Sequence, residues 1–428
     1  MGNEKSRTKY ETPGGVTKKG ERVGAHSSIP DDPVPYAGSL WQYCFVNIEA
    51  SLKAKVKFFS APIITTNIDA YYDVISQPYT EGFVMNQFQS IPGVMRQGGF
   101  SYKVAVPYQA ILSRPVNAPP SHERWQLRVE KSFLQTQLTV QFFTSQATVV
   151  SDTSDIHQKI NAVVSQGGRL ICVEITGFQQ GLRQARSRYP EVKGVDLFFN
   201  MPLHPNPQIY VYQAVSVPVQ FKLTSSYPQP RIKVLTDFMG QFAAFLQKGW
   251  KLVEINFDSS LTTQPGFFTA HASMNSIWFF EKEASMMHSE VPEWEGTIVE
   301  YEHKIGRTFG GTKAKTNWDP LVGEMGQRGW ELACLVESPE MYATGFSTAA
   351  IKVILFFQRR ILRPAGAEGF ARTPLGGQPP PQGSYPPPQG AQGGYPPPQG
   401  SNPPPYPDPS QGGYPGNSPE EEKKVSDL

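Results

Sequence analysis

The sequence predicts an α+β fold made of four β-α-β-β repeats of about 80 residues each. The prediction depends on two observations. A glycine suited to end a helix recurs at positions 82, 168, 249 and 329, at intervals of 86, 81 and 80 residues. Each glycine is followed by an apolar run that reads as a strand. Similarity at a regular interval is typical of stacked structural repeats.

The fourth repeat shows the plan most clearly. Asn317 is suited to cap a helix, and apolar residues recur at helical spacing within 318–325. Gly329-Trp330 ends this helix, because glycine adopts the left-handed conformation at a helix C-terminus with little strain. The apolar runs 331–336 and 351–358 predict the two strands that follow.

The third repeat follows the same plan, with Asp237 at the start of a helix and Gly249-Trp250 at its end. Weaker copies occupy 68–112 and 155–199. One such repeat leaves apolar surface uncovered, so we expect the repeats to pair into two antiparallel-sheet domains. The predicted divisions are a disordered arm, repeats 1 and 2, repeats 3 and 4, and a disordered tail rich in Pro, Gly, Gln and Tyr, at 1–35, 36–203, 204–364 and 365–428.

Composition excludes several classes of function. The net charge is only +2, and no segment combines dense Lys and Arg with stacking aromatic residues, so we expect no nucleic-acid partner. Cys44, Cys172 and Cys334 are far apart, which favours a reducing compartment over a disulfide framework or a metal site. The most apolar run, 351–357, is far shorter than the ~20 residues of a spanning helix. Membrane contact is therefore expected to be peripheral.

The sequence contains none of the usual short motifs of catalysis, such as a P-loop, a G-x-S-x-G turn or paired metal-binding histidines. We therefore predict that the protein is not an enzyme and needs no cofactor. Cys172 and Cys334 fall in predicted strands, where packing explains them. The tryptophans at 250, 278, 294, 318 and 330 fall largely at equivalent apolar positions, which predicts a core role.

The N-terminus contains a lipidation motif. Met1-Gly2 is followed by Ser6, in the M-G-x-x-x-[ST] pattern of N-myristoylation at Gly2. One myristoyl chain supplies only about 10⁴ M⁻¹ of membrane affinity, so a second chain or a basic patch is needed for stable binding. Lys5, Arg7 and Lys9 could supply that patch against the anionic lipids of the inner leaflet.

The tail contains two candidate docking motifs. Pro403, Pro404 and Tyr406 fit P-P-x-Y, in which a polyproline II segment binds the aromatic groove of a WW domain. Ser426 and Leu428 fit the C-terminal pattern that adds a strand to a PDZ domain. WW-domain proteins, and PDZ-domain proteins as a further option, are therefore predicted partners.

Several segments resemble the raftlins, acylated lipid-raft proteins of the inner plasma membrane. The similar segments are Met1-Gly2, 74–83, 160–173, 317–332 and 356–360. The resemblance implies a scaffold on the cytoplasmic face of the plasma membrane that organises raft microdomains, endocytosis or receptor signalling. Raftlins place a palmitoylated cysteine after Gly2, whereas this chain has Asn3, so the resemblance does not extend to a second acyl chain at position 3.

The sequence is also compatible with a second function. If the match at Gly2 is accidental, the chain is a soluble adaptor that recruits WW-domain ubiquitin ligases through its tail. An enzyme with a pocket between repeats is a third reading, with less support from the sequence.

Overall fold

The fold is known from a computed structural model. It describes residues 25–26, 32, 34–57, 60–94, 96–97, 103–116, 125–141, 146–179, 191–204, 208–224, 231–264, 269–308, 311–314, 317–345 and 347–363. The predicted tail, 365–428, and most of the predicted arm lie outside these residues.

The described chain contains four segments with one common order of elements: segment 1 (34–116), segment 2 (125–204), segment 3 (208–288) and segment 4 (294–363). With strands numbered in chain order from β1 (Ala25–His26), each segment begins with a long first strand: β2 (Trp41–Lys57), β7 (Trp125–Gln141), β11 (Tyr210–Thr224) and β15 (Trp294–Thr308). A short antiparallel strand then folds back on its end: β3 (Ser60–Thr66), β8 (Gln146–Asp152), β12 (Arg231–Val234) and β16 (Gly311–Ala314).

A helix and two further strands complete each segment. The helices are α1 (Tyr72–Ser76), α2 (Ser154–Val164), α3 (Phe238–Leu246) and α4 (Asp319–Gln327). The second strands are β4 (Val84–Ser90), β9 (Arg169–Gln179), β13 (Lys251–Gln264) and β17 (Glu331–Gly345). The third strands are β6 (Lys103–Pro115), β10 (Glu191–Pro202), β14 (Thr269–Glu283) and β18 (Thr348–Arg360), and the two-residue β5 (Arg96–Gln97) pairs with β6.

In every segment the third strand lies between the first and the second, and all of these pairs are antiparallel. Further pairings, such as β3 with β9 and β8 with β13, link the strands into one 18-stranded sheet. The described residues are thus mostly strand with four α-helices, which agrees with the predicted α+β class. The predicted β-α-β-β order is corrected in one respect, because each segment has two strands before its helix where the prediction had one.

The helix ends follow the expected chemistry, with corrections at α4 and α2. Trp318, and not the predicted Asn317, is the N-cap of α4, while Oδ1 of Asn317 accepts a hydrogen bond from the N–H of Asp319 at 2.9 Å. Asp237 caps α3, because its Oδ1 accepts a hydrogen bond from the N–H of Gly240 at 2.9 Å. A glycine with positive φ ends each helical stretch: Gly82 ends the 3₁₀ helix Gln77–Glu81 that continues α1, and in segment 2 the glycine is Gly167 (φ 88°). The prediction of Gly168 at this place is therefore wrong by one residue. Gly168 is needed for close packing instead, since a Cβ there would lie 2.6 Å from Sδ of Met201.

Helix α3 packs between the strands of its own segment and those of the next segment. Phe238, Phe242 and Leu246 contact Trp278 and Phe280 of their own segment on one side. The same core includes apolar residues of segment 4: Ile298, Ala333, Cys334, Val336, Ile354 and Phe356. The helix therefore fills the space between its own sheet and the sheet of the next segment.

The other three helices repeat this arrangement. The core of α4 combines residues of segment 4 with Ile111, Tyr43 and Phe45 of segment 1. That of α1 includes Phe198 of segment 2, and that of α2 includes Phe279 of segment 3. Each helix is thus covered by the next segment, and segment 4 is followed by segment 1.

The second strands lie at the centre of this arrangement. Strand β4 contacts β9, β9 contacts β13, β13 contacts β17, and β17 contacts β4. The four segments therefore form a closed ring around an axis lined by these strands. The described residues form one compact unit by their contacts, and the separate folding of 36–203 and 204–364 as domains stays a prediction.

Trp330→Ala should destabilise the fold more than Trp250→Ala. Trp330 is 1% exposed, whereas Trp250 is half-buried, so truncation of Trp330 empties the larger core volume. We expect a loss of about 3–5 kcal/mol for Trp330→Ala. Urea denaturation of both variants measures the difference, and equal midpoints would contradict this account of the packing.

Candidate functional site

All the site residues predicted from sequence lie outside the described residues: Gly2, Lys5, Arg7, Lys9, Pro403, Pro404, Tyr406, Ser426 and Leu428. Their roles therefore stay predictions. Among the residues that the structure describes, no helix is long and apolar enough to cross a bilayer. The same residues contain no group of three or more His, Cys, Asp or Glu placed to hold a metal ion.

The structure does contain a pocket at one end of the ring axis, where the second strands begin. Its volume is about 460 Å³. The first three residues of every second strand line it: Val84–Asn86, Arg169–Ile171, Lys251–Val253 and Glu331–Ala333. All four segments thus contribute equivalent positions to one cavity.

Aromatic residues form the rim of this pocket. The first residue of each first strand lines it: Trp41, Trp125, Tyr210 and Trp294. These residues are 84, 85 and 84 positions apart, a more regular interval than that of the glycines. Sequence analysis overlooked this signal for Trp41, Trp125 and Tyr210, because each lies at a strand start and outside the helix pattern used to find the repeats.

Each second strand carries a β-bulge at its third residue. The unpaired residues are Asn86, Ile171, Val253 and Ala333. A bulge interrupts the ladder, so neighbouring backbone groups need other partners. The bulge occurs at the same position in all four segments, so it is a regular feature of the strands that line the axis.

The N–H group just before each bulge donates to a side-chain oxygen. The four pairs are Met85 with Tyr79 Oη (3.3 Å), Leu170 with Tyr212 Oη (3.2 Å), Leu252 with Gln358 Oε1 (3.1 Å) and Leu332 with Tyr43 Oη (2.7 Å). In three pairs the acceptor belongs to the next segment. In the first pair, Tyr79 itself donates to Asn200 of the next segment.

Two ion pairs cross between segments inside the pocket. Arg169 donates two hydrogen bonds to Glu281, and Lys251 Nζ lies 2.9 Å from Glu331 Oε1. Burial alone would raise the pKa of Glu281, but Arg169 and Lys251 outweigh it and hold that pKa below its ordinary value. The guanidinium of Arg169 also lies 4.2 Å from the ring centre of Tyr210.

Three segments place a cation over the aromatic residue that follows the helix-ending glycine. Arg359 lies 4.1 Å from the ring centre of Trp330, and Lys282 lies 5.4 Å from that of Trp250. Arg114 lies 4.4 Å from the ring centre of Phe83. Trp250 and Trp330 therefore contact a cation from the third strand of their segment as well as residues of the helix.

A buried polar layer lies on the axis one residue beyond the bulges, formed by Gln87, Cys172, Glu254 and Cys334. Burial raises the pKa of Glu254 well above its ordinary value. Burial, with the nearby Glu254, also raises the thiol pKa of both cysteines. These thiols are protonated and packed, as the sequence predicted for Cys172 and Cys334.

Comparison with known proteins gives a distant relationship. Raftlin of Gallus gallus is 22% identical over 195 residues, which cover 45% of this chain and 30% of that protein. The chain is similar to raftlins. Raftlin of Mus musculus is also 22% identical, over 165 residues that cover 39% of this chain and 28% of the relative. The match thus spans less than a third of either raftlin. No family model and no solved structure matches.

Tyr43→Phe should destabilise the ring although it preserves the aromatic core. The change removes the acceptor of the buried Leu332 N–H, and an unsatisfied buried donor costs about 1–3 kcal/mol. Tyr342→Phe is the matched control, because its hydroxyl bonds Glu302 near the surface. Thermal and urea denaturation of both variants make the comparison, and equal stability of the two would count against the role of the bulge hydrogen bonds.

Proposed function

We propose that this protein is a peripheral scaffold on the cytoplasmic face of the plasma membrane, attached through an acyl chain on Gly2. The observation that carries the proposal is the N-terminal motif from Met1 to Ser6 in a chain that is similar to raftlins. Lys5, Arg7 and Lys9 add electrostatic attraction to anionic lipids, at about 1 kcal/mol for each residue near the surface. This attraction takes the place of the second acyl chain that Asn3 cannot carry.

The attachment of the arm to the folded ring supports this arrangement. Strand β1 pairs with the first part of β15, and Asp32 forms an ion pair with Arg359. Tyr36 Oη donates to the carbonyl of Arg360 at 2.7 Å. All three contacts lie at the pocket end of the ring. A lipid on Gly2 would therefore hold that end toward the bilayer, within the ~80 Å that 23 extended residues can span.

The activity of the scaffold is proposed from the resemblance to raftlins. The ring supplies a rigid body at the membrane, which would organise raft microdomains, endocytosis or receptor signalling. The tail would recruit WW-domain proteins through Pro403, Pro404 and Tyr406, and PDZ-domain proteins through Ser426 and Leu428.

The second candidate, a soluble adaptor for WW-domain ubiquitin ligases, is favoured by the Pro403 to Tyr406 motif alone. The two candidates differ in their dependence on Gly2. Only the membrane scaffold requires acylation, whereas both can use the tail.

Gly2→Ala should move the protein from the membrane fraction to the soluble fraction, because alanine at this position blocks myristoyl transfer. The measurement is metabolic labelling with a clickable myristate analogue, followed by fractionation. Gly14→Ala is the matched control within the arm and should keep both the label and the membrane fraction. Unchanged fractionation of Gly2→Ala would refute the anchor and favour the adaptor.

Tyr406→Ala should abolish binding of the tail to WW domains, because the tyrosine ring fills one of the two pockets that recognise P-P-x-Y. Titration of a ubiquitin-ligase WW domain into an isotope-labelled 365–428 peptide reports the binding residue by residue. Tyr385→Ala, in a repeat without the motif, should bind as the unchanged peptide does. Shifts centred on Tyr385 or Tyr395 would show that the motif is accidental.

A further inference from the structure

We propose that the axial pocket binds a long-chain acyl group, and that the acyl chain of Gly2 occupies it when the protein is off the membrane. The second half of this proposal rests on the proposed acylation of Gly2. The first half depends only on the pocket and can be tested on the unacylated chain.

The buried part of the pocket lining, here called its floor, is mainly aliphatic, and the polar side chains of Asn86, Asn200 and Gln358 also line it. Leu170, Leu252 and Leu332 occupy equivalent positions there, with Met85 as the fourth member. The bulged residues Ile171, Val253 and Ala333 add further apolar surface. A volume of about 460 Å³ falls within the ~300–1,000 Å³ of small-molecule sites. The gain from burial grows by about 0.8 kcal/mol per CH₂, so a flexible hydrocarbon chain suits such a floor.

The charges of the pocket indicate that the part of the ligand that lies among them is uncharged. Every charged side chain that lines it, within the described residues, already has a partner. The contacts are Arg169 with Glu281, Lys251 with Glu331, Arg359 with Asp32 and Glu295, Arg360 with Glu283 and Glu293, and Lys282 with the carbonyls of Lys248 and Ser289. A charged group inside the pocket would compete with these partners, and a buried charge that loses its partner is costly. An apolar group leaves all of them intact.

The rim suits the polar end of an acyl group. Trp41, Trp125, Tyr210 and Trp294 combine large apolar faces with a polar N–H or O–H. Such side chains are favoured where an apolar environment meets water. An acyl chain could place its hydrocarbon tail against the floor and its amide or carboxyl group beside the aromatic rim.

The position of the arm identifies the occupant. Tyr36, Gly38, Ser39 and Trp41 form part of the pocket wall, and they directly follow the arm that begins at Gly2. A tethered group reaches its site at an effective concentration set by the length of the linker, which gives it an advantage over free fatty acid. On a bilayer the same chain would partition into lipid, and the two locations would compete for it.

The first experiment tests the pocket with myristic acid, below its micellar concentration, and the full unacylated chain. Calorimetric titration should show saturable binding to one site. Val84→Trp, which fills the pocket from a half-buried lining position, should weaken that binding at least tenfold. Val116→Trp, at a position 61% exposed at the same end and outside the pocket lining, should leave it unchanged. Absence of saturable binding, or equal binding by Val84→Trp, would overturn the proposal.

A second measurement covers the case in which Val84→Trp fails to fold. A photoreactive fatty acid bound to the unchanged protein should crosslink to peptides that contain 84–86, 169–171, 251–253 or 331–333. Crosslinks confined to other peptides would place the acyl group elsewhere and refute the axial site.

The source of the acyl chain is tested on protein produced together with an N-myristoyltransferase. The acylated chain should no longer bind added myristic acid, whereas Gly2→Ala, from the same expression, should bind it as the unacylated chain does. Equal binding by acylated and unacylated protein would refute Gly2 as the source of the occupant. If cells do not acylate Gly2, the proposed anchor fails, and the result of the titration with unacylated protein still decides the pocket.

Discussion

The hydrogen bonds at the four β-bulges are the interaction on which the ring depends. A bulge interrupts the strand ladder, and the N–H of Met85, Leu170, Leu252 or Leu332 then needs an acceptor away from water. Three of the acceptors come from the next segment, and the fourth, Tyr79, is itself bonded to the next segment. Segments 2, 3 and 4 therefore cannot satisfy their own second strands completely, and segment 1 depends on its neighbour through the hydrogen bond of Tyr79 to Asn200.

This dependence agrees with the burial of both sheet faces. In segment 4, Val353, Leu355 and Phe357 pack against α4, while Ile354 and Phe356 pack in the core of α3. A strand buried on both faces carries a continuous apolar run rather than an alternating one. The apolar run 351–357 is therefore explained by its place between two helices. A strand with one face in solvent would instead alternate apolar and polar residues.

The pocket is a consequence of the same geometry. Four strands that begin around an axis cannot all meet at a point, so a space remains between their first residues. The aromatic rim and the ion pairs of Arg169 and Lys251 line that space without filling it. Asp32 and Tyr36 contact the ring at this end, so the described end of the arm that carries the proposed membrane anchor lies beside the proposed acyl site.

The sequence by itself determined the local elements, while the tertiary structure decided how they assemble. Helical spacing and glycines such as Gly329 predicted the helices and the strands after them, because these signals are local and periodic. The cap at Asp237 was predicted for the same reason. The axial pocket was not predictable, since Trp41, Trp125, Tyr210 and Trp294 meet only when distant strands start at one end of a ring. Likewise, the hydroxyl of Tyr43 accepts a hydrogen bond from the N–H of Leu332, 289 residues further along the chain. This contact forms only when the ring closes, so no local sequence pattern predicts it.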